Sequence, residues 1–241
     1  MSATSSGAAD DPAGPPTERS LVVVDDVAGA FADRVIEAFH ARPADGFSVA
    51  LSGGGTAREC YQRLADTAGT QIDWWKVDVY WGDERCVPLD DADSNYRLAR
   101  EALLDRVGAA NATYPMRCDE GADPYQLRIG ELGHFDVVHL GLGPDGHTAS
   151  LFPGSSALEA DPGRLVVLND DPLGHNPHRR MTLTYAGIAR ARLVLVTVAG
   201  AAKREALARV FADDDVPAAH IRADKVVWLA DAAAAGDLVG A

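Results

Sequence analysis

The sequence predicts an α/β fold in which a mostly parallel sheet carries helices on both faces. Two observations lead to this prediction. Short runs rich in β-branched residues are typical of buried strands, and segments between them repeat apolar residues at the spacing of an amphipathic helix. In such sheets ligands bind beyond the carboxyl ends of the strands. Functional residues are therefore expected in the loops that follow strands.

Seven segments have the composition of buried strands. They cover residues 21–24, 47–51, 77–81, 135–140, 165–168, 193–198 and 226–229.

Helical spacing is clearest between the first two of these segments. Within residues 26–40, the side chains of Val27, Phe31, Val35 and Phe39 fall on one face. Further helices are predicted from about Ala57, over residues 95–104, and around Ala202, Ala206 and Val210.

Length and composition indicate one domain. The chain has 241 residues, 47% hydrophobic and 24% charged, which is enough for one substantial core. Residues 1–19 are rich in Ala, Ser, Pro and Asp, lack the apolar stretch of a secretory signal, and are expected to form a disordered tail. The α/β domain is expected over residues 20–241. No apolar run approaches the roughly 20 residues of a membrane helix.

The net charge is −14 and the isoelectric point is about 4.8. The electrostatic field of this negative charge opposes binding to nucleic acid, so neither a nucleic-acid nor a membrane partner is expected. It also repels a small anionic substrate. A phosphate ligand therefore requires a local concentration of Arg, Lys and backbone N–H groups. The oligomeric state is left open, and a monomer is compatible with the sequence.

The three cysteines are Cys60, Cys86 and Cys118. Their number is odd and their spacing contains no CxxC motif. We therefore expect free thiols, no disulfide and no metal site, in a reducing, cytoplasmic environment.

The first strand-end loop is a glycine run, Ser52-Gly53-Gly54-Gly55-Thr56. Its glycines let the backbone approach an anion closely, and the helix that follows adds N–H donors and the positive end of its dipole. The alternative is a tight turn with Thr56 as the N-cap. The run matches neither the P-loop nor the dinucleotide fingerprint.

The second loop is predicted at residues 82–85, where three charged residues directly follow a buried strand. Arg85 has the planar group that grips a phosphate with two hydrogen bonds, and Asp83 can accept hydrogen bonds from sugar hydroxyls. The alternative is a solvated turn with internal ion pairs.

The third loop, residues 141–147, is the most informative. Its glycines allow Asp145 and His147 to point toward one place. Histidine is the side chain best suited to proton transfer near neutral pH, and Asp145 can orient it or bind substrate.

Two cations complete the set. Arg180 precedes a short apolar segment, and Lys203 stands where a strand gives way to a helix, so either can meet a phosphate. Both could equally be exposed side chains. The loops together predict an enzyme that acts on a small phosphorylated molecule by acid–base chemistry, without choosing between a lactone, an amine and a ketose.

Several blocks of the sequence resemble the 6-phosphogluconolactonase family, which works in the pentose phosphate pathway. The most specific is Asp-Gly-His-Thr-Ala-Ser-Leu-Phe-Pro at residues 145–153. The resemblance runs in collinear order over about residues 20–235. The other blocks are residues 51–56, 81–85, 94–97, 135–136, 141–144, 180–184 and 200–203.

The resemblance implies a modified Rossmann sheet that binds no dinucleotide, and hydrolysis of 6-phosphogluconolactone without cofactor or metal. By the same resemblance, His147 is the general base, and Asp83 and Asp145 contact the sugar acid or position His147. Asn95 lines the pocket. The phosphate ligands implied are Ser52, Gly53, Gly54, Gly55, Thr56, Arg85, Arg180 and Lys203.

Two alternatives stay open. A glucosamine-6-phosphate deaminase shares the Asp-Gly-His element but uses an additional Glu, and Phe152 stands at that position here. A non-catalytic sugar-phosphate sensor would keep the cations and could lose the histidine.

The sequence departs from the family at Ala57, where many members have Pro. Because proline is pre-set for the first turn of a helix, its absence weakens only the prediction of where the helix starts.

Overall fold

A computed structural model describes residues 18–238. The predicted tail lies outside the described residues up to position 17, and the first strand begins at Glu18. The strands are β1 (Glu18–Val23), β2 (Phe47–Leu51), β3 (Val77–Trp81), β4 (Asp83–Arg85), β5 (Ala112–Tyr114), β6 (Phe135–Gly141), β7 (Val166–Asn169), β8 (Arg180–Leu183), β9 (Ala191–Val198) and β10 (Lys225–Ala230). The helices are α1 (Val27–Ala41), α2 (Gly55–Thr67), α3 (Asn95–Ala99), α4 (Asp123–Leu132), α5 (Tyr185–Ile188), α6 (Arg204–Phe211) and α7 (Ala232–Ala235).

Seven strands form one sheet in the order β1-β10-β9-β6-β2-β3-β5, and every neighbouring pair is parallel. Helices flank this sheet, so the predicted fold class is confirmed. Six of the seven predicted strands belong to this sheet. The seventh, predicted at residues 165–168, is β7 and lies in a second sheet.

The second sheet is small and antiparallel, in the order β4-β8-β7. Its strand β4 is the segment that was predicted as a charged loop, and that prediction is wrong. Asp83 pairs with Thr182, Glu84 with Met181 and Arg85 with Arg180. Three charged residues carry no alternating apolar pattern, and the partner strand lies far along the chain, so local sequence gives no sign of the pairing.

Helix α1 buries the predicted face, including Val27, Phe31, Val35 and Phe39. Asp26 caps its start by accepting a hydrogen bond from the backbone of Gly29 at 2.9 Å. The helix predicted over residues 95–104 is α-helical only through α3 and continues as a π-helical turn over Arg100–Leu104. Within residues 18–238, no helix is long and apolar enough to cross a bilayer.

A buried polar network lies beneath the glycine run. Burial lowers the pKa of the fully buried His139 to about 3, so its ring is neutral. Its Nδ1 lies 2.9 Å from the Tyr61 hydroxyl and its Nε2 lies 2.9 Å from the Thr197 hydroxyl. Tyr61 also bonds both backbone groups of Ser52. The network thus joins α2, β6 and β9 to the residue from which the glycine run begins.

Cys86 and Cys118 form a disulfide, and Cys60 is a buried free thiol. The expectation of three free thiols is therefore wrong. Sequence spacing did not reveal the pair, because the two cysteines meet only when the segment after β4 packs against the segment after β5.

The disulfide gives a direct test. Protein denatured without reductant should titrate with one thiol, that of Cys60, and with three after reduction. Cys86→Ser should lower the free energy of unfolding by about 2–4 kcal/mol, because the reduced chain gains unfolded-state entropy. Cys60→Ala is the matched control and should leave no titratable thiol before reduction. Three thiols before reduction would contradict the pairing.

Candidate functional site

A pocket of about 90 Å³ lies beside β4, where β2 and β6 end and β8 begins. Six of the predicted site residues line it: Gly53, Asp83, Arg85, Asn95, His147 and Arg180. The structure does not bring Ser52, Gly54, Gly55, Thr56, Asp145 or Lys203 into that lining.

His147 and Asp145 form a hydrogen-bonded pair beside the pocket. The Nδ1 atom of His147 lies 2.6 Å from Oδ1 of Asp145, which also accepts the backbone N–H of His147 at 3.1 Å. A carboxylate only accepts hydrogen bonds, so the imidazole carries its proton on Nδ1. The lone pair is then on Nε2. Asp145 thus prepares His147 to act as a base through Nε2.

Burial alone would raise the pKa of Asp145. The hydrogen bonds and charge of His147 outweigh burial and lower the pKa of Asp145 to about 2. The carboxylate therefore stays ionised and keeps orienting the imidazole over the whole physiological range.

Close contacts fix the imidazole on two sides. A Cβ atom at Gly143 would overlap Nδ1 of His147, so the loop needs glycine at this position. The ring of Phe152 meets the imidazole edge-on, with 5.1 Å between ring centroids. The loop glycine and the phenyl ring together leave the imidazole little freedom.

Two arginines lie directly opposite each other on neighbouring strands of the second sheet, because Arg85 of β4 pairs in register with Arg180 of β8. Like charges directly opposite one another destabilise a sheet unless an anion lies between them. Only 6% of Arg180 is exposed, and within residues 18–238 no carboxylate lies within 4.0 Å of its guanidinium. Its Nε donates to the carbonyl of His178 at 3.1 Å.

Burial lowers the pKa of Arg180. The charge of the Asp83 carboxylate raises this pKa, and the charge of Arg85 lowers it further. Arg85 is better compensated, since it donates to the carbonyl of Asp93 at 3.0 Å and lies 3.6 Å from its carboxylate. The site therefore holds a desolvated cation with no ion-pair partner among the described residues, which is the setting in which an anion binds strongly.

Asp83 is buried and bonded at both carboxylate oxygens. Its Oδ2 accepts from the Ser150 hydroxyl at 2.6 Å, and its Oδ1 accepts from Nδ2 of Asn95 at 3.3 Å. Asn95 also donates to the Asp83 carbonyl at 2.9 Å. A Cβ atom at Gly53 would overlap the Asn95 amide. The glycine run, β4 and the start of α3 thus meet in direct contact on one side of the pocket.

The hydroxyl of Ser52 does not face the pocket, because it donates to the carbonyl of His139 at 2.7 Å. The N-cap of α2 is Gly54 and not Thr56, and no side chain caps this helix end. The first backbone N–H groups of α2 therefore have no partner within the helix. They are available to an anion at the pocket's edge.

Lys203 ends a short 3₁₀ turn that leads into α6. Burial lowers the pKa of its ammonium group, and the charge of Asp145 raises it. Within the described part of the chain it makes no ion pair closer than 4.0 Å. Lys203 is thus a second partly desolvated cation, on the Asp145 side of the site.

Four residues of the pocket lining were not predicted: Ala149, Ser150, Phe152 and Asn176. The first three lie within the block at residues 145–153, so that block could have revealed them. Asn176 could not be found, because it belongs to an irregular loop. Asp171 holds that loop by accepting hydrogen bonds from the backbone and side chain of Asn176 at 3.0 and 2.8 Å.

Among residues 18–238, no cluster of three or more His, Cys, Asp or Glu side chains is arranged to hold a metal ion.

Both the sequence and the fold are similar to those of known proteins. The profile of the family described as glucosamine-6-phosphate isomerases/6-phosphogluconolactonase matches residues 19–228. A 6-phosphogluconolactonase from Nostoc sp. is 41% identical over 211 residues, covering 80% of this chain and 85% of the relative. The corresponding protein of Synechocystis sp. is 39% identical over 210 residues, covering 79% and 84%. The solved structure of 6-phosphogluconolactonase from Trypanosoma brucei is 30% identical, with a TM-score of 0.79 over 92% of this chain and all of that chain.

The Asp145–His147 pair should make stability depend on pH. The folded-state pKa of Asp145, about 2, lies below the ordinary value of 3.8. The carboxylate therefore stabilises the fold fully above about pH 5, and this contribution disappears as the pH falls through about 2. Asp145→Asn should be less stable than the parent protein at neutral pH, and the difference should shrink in acid. Chemical denaturation across pH measures it, with the exposed Asp33→Asn as control. A difference that does not vary with pH would contradict the pairing.

Proposed function

The chain belongs to the family of glucosamine-6-phosphate isomerases and 6-phosphogluconolactonases, and on this premise we propose that it hydrolyses 6-phospho-D-glucono-1,5-lactone to 6-phosphogluconate. This is the second step of the oxidative pentose phosphate pathway. The observation that carries the proposal is that one pocket is lined by His147, which is bonded to Asp145, and by Arg180, which has no ion pair among the described residues. A proton acceptor and an anion site that border the same pocket suit an ester whose far end carries phosphate.

His147 is the general base. Its Nε2 takes a proton from water while the water oxygen forms a bond to the lactone carbonyl carbon. Asp145 stabilises the imidazolium that results, through the hydrogen bond at 2.6 Å. The negative charge develops on the carbonyl oxygen of the tetrahedral intermediate.

The intermediate collapses when the bond between the carbonyl carbon and the ring oxygen breaks. The imidazolium of His147 returns its proton to that ring oxygen, which becomes the hydroxyl of the opened sugar acid. One water is consumed and His147 regains its starting state. An ester of this kind needs no cofactor, so the residues of the site are sufficient for the reaction.

In this proposal Arg180, Arg85 and Lys203 bind the phosphate, together with backbone N–H groups at the start of α2. Its charge would neutralise the two arginines that face each other across β4 and β8. The negative net charge of −14 makes such a local cluster necessary. Asp83, Asn95 and Ser150 line the same pocket, and in this proposal they contact the sugar hydroxyls.

The two alternatives are less well supported. The deaminase reaction requires a further proton-transfer group, and Phe152 presents an apolar ring to His147 instead. A sensor without catalysis would not need the base, yet the His147–Asp145 pair is complete. A cytoplasmic location is part of the proposal. The Cys86–Cys118 disulfide is the observation against it, since disulfides are rare in a reducing compartment.

Removing the base should abolish turnover and spare binding. His147→Ala should lower kcat by about 10²- to 10⁴-fold, because the water is no longer deprotonated. Its affinity for 6-phosphogluconate should change little. Turnover is measured on freshly generated lactone after the spontaneous rate is subtracted, with the exposed His220→Ala as control. A parent protein that binds the phosphate ligand without accelerating hydrolysis would support the sensor instead.

Removing a phosphate cation should weaken binding and spare chemistry. Lys203→Ala should raise KM by about 10- to 150-fold, which corresponds to the binding free energy of one charge-assisted hydrogen bond. The value of kcat should stay nearly unchanged. Lys225→Ala is the matched control, since Lys225 pairs with Glu18 at the start of β10. A fall in kcat at constant KM would show that Lys203 acts in the chemical step.

A further inference from the structure

Glu84 is a carboxylate that the proposed chemistry does not use, although it stands between Asp83 and Arg85. Only 1% of it is exposed, and the described residues offer it no ion pair within 4.0 Å. Successive residues of a strand point to opposite sides. Asp83 and Arg85 line the pocket, so Glu84 points away from it.

The carboxylate of Glu84 accepts four hydrogen bonds. Its Oε1 accepts the backbone N–H groups of Arg85 and Asn95, both at 2.7 Å. Its Oε2 accepts the backbone N–H of Tyr96 at 2.7 Å and the Ser94 hydroxyl at 3.1 Å. We call this set of four bonds the Glu84 cluster. Both oxygens are saturated, and these hydrogen bonds offset part of the burial that raises the pKa of this carboxyl.

The Glu84 cluster joins two segments that carry pocket residues. One segment is β4, and the other is the start of α3, which holds Asn95 against Asp83 and the glycine run. We propose that Glu84 is a positioning residue, which sets the distance between the Arg85 phosphate contact and the Asn95–Asp83 sugar contact. This inference rests on the proposed lactonase function and deepens it.

The position of Glu84 predicts which kinetic constant it affects. Its hydrogen bonds reach Arg85 and Asn95, and none of them reaches the His147–Asp145 pair. Loss of the cluster should therefore loosen the binding residues and leave the base in place. A purely structural role would lower stability without changing the KM of the folded protein.

The test compares Glu84→Gln with the parent protein. Gln keeps the shape of Glu but replaces one acceptor oxygen by an N–H donor, which must face the N–H groups of the cluster. KM for the lactone should rise roughly 10-fold or more, with a smaller change in kcat, since misplacement of binding groups by a fraction of an ångström is costly. The exposed Glu37→Gln is the matched control and should match the parent.

A double-mutant cycle shows whether Glu84 acts through Asn95. If it does, Glu84→Gln should raise KM less in an Asn95→Ala background than in the parent. Equal effects in both backgrounds, or an unchanged KM in the folded Glu84→Gln protein, would overturn the inference. If Glu84→Gln does not fold, Ser94→Ala removes one bond of the cluster and should raise KM by a smaller factor.

The two proposals fail in different ways. A parent protein that neither hydrolyses the lactone nor binds 6-phosphogluconate overturns the proposed function, and this inference with it. An active parent with a Glu84→Gln variant of normal KM overturns only the role of Glu84.

Discussion

The pairing of β4 with β8 brings Arg85 and Arg180 face to face, and the rest of the site is organised around this repulsion. Arg180 is almost fully buried, and its charge is offset only by carboxylates beyond ion-pair distance among the described residues, first Asp83 and then Glu84 and Asp171. A protein tolerates such an arrangement when a ligand supplies the missing charge. The repulsion between the two arginines of the second sheet therefore lowers the stability of the protein and favours the binding of an anion.

The neighbouring elements each hold one part of the site in relation to these arginines. The uncapped start of α2 adds N–H groups on one side, and Glu84 fixes α3 against β4. The parallel sheet brings the loop after β6 to the same edge, where Gly143 leaves room for the His147–Asp145 pair. In the proposed function, binding and proton transfer thus depend on different loops of a common scaffold.

The large sheet and the position of the loop at residues 141–147 could be predicted from the sequence, because buried parallel strands and glycine-rich strand ends leave local patterns. The second sheet could not, since β4 is short, charged and paired with a distant strand. Ser52 was expected to bind phosphate, yet its hydroxyl is used by a carbonyl of β6, a contact that only the packed sheet reveals. The Cys86–Cys118 disulfide and the pocket position of Asn176 also depend on loop packing, which spacing along the chain does not encode.

The central claim is that the phosphate of the substrate is the missing partner of Arg180. Calorimetry can test it by comparing the affinities of 6-phosphogluconate and gluconate for the parent protein and for Arg180→Met, which keeps an unbranched apolar stem and removes the charged guanidinium. We expect the parent to prefer the phosphorylated ligand and the variant to lose about 10- to 150-fold of that preference, the value of one charge-assisted contact. An unchanged preference in a folded variant would contradict the claim, and the charge of Arg180 would then need another explanation.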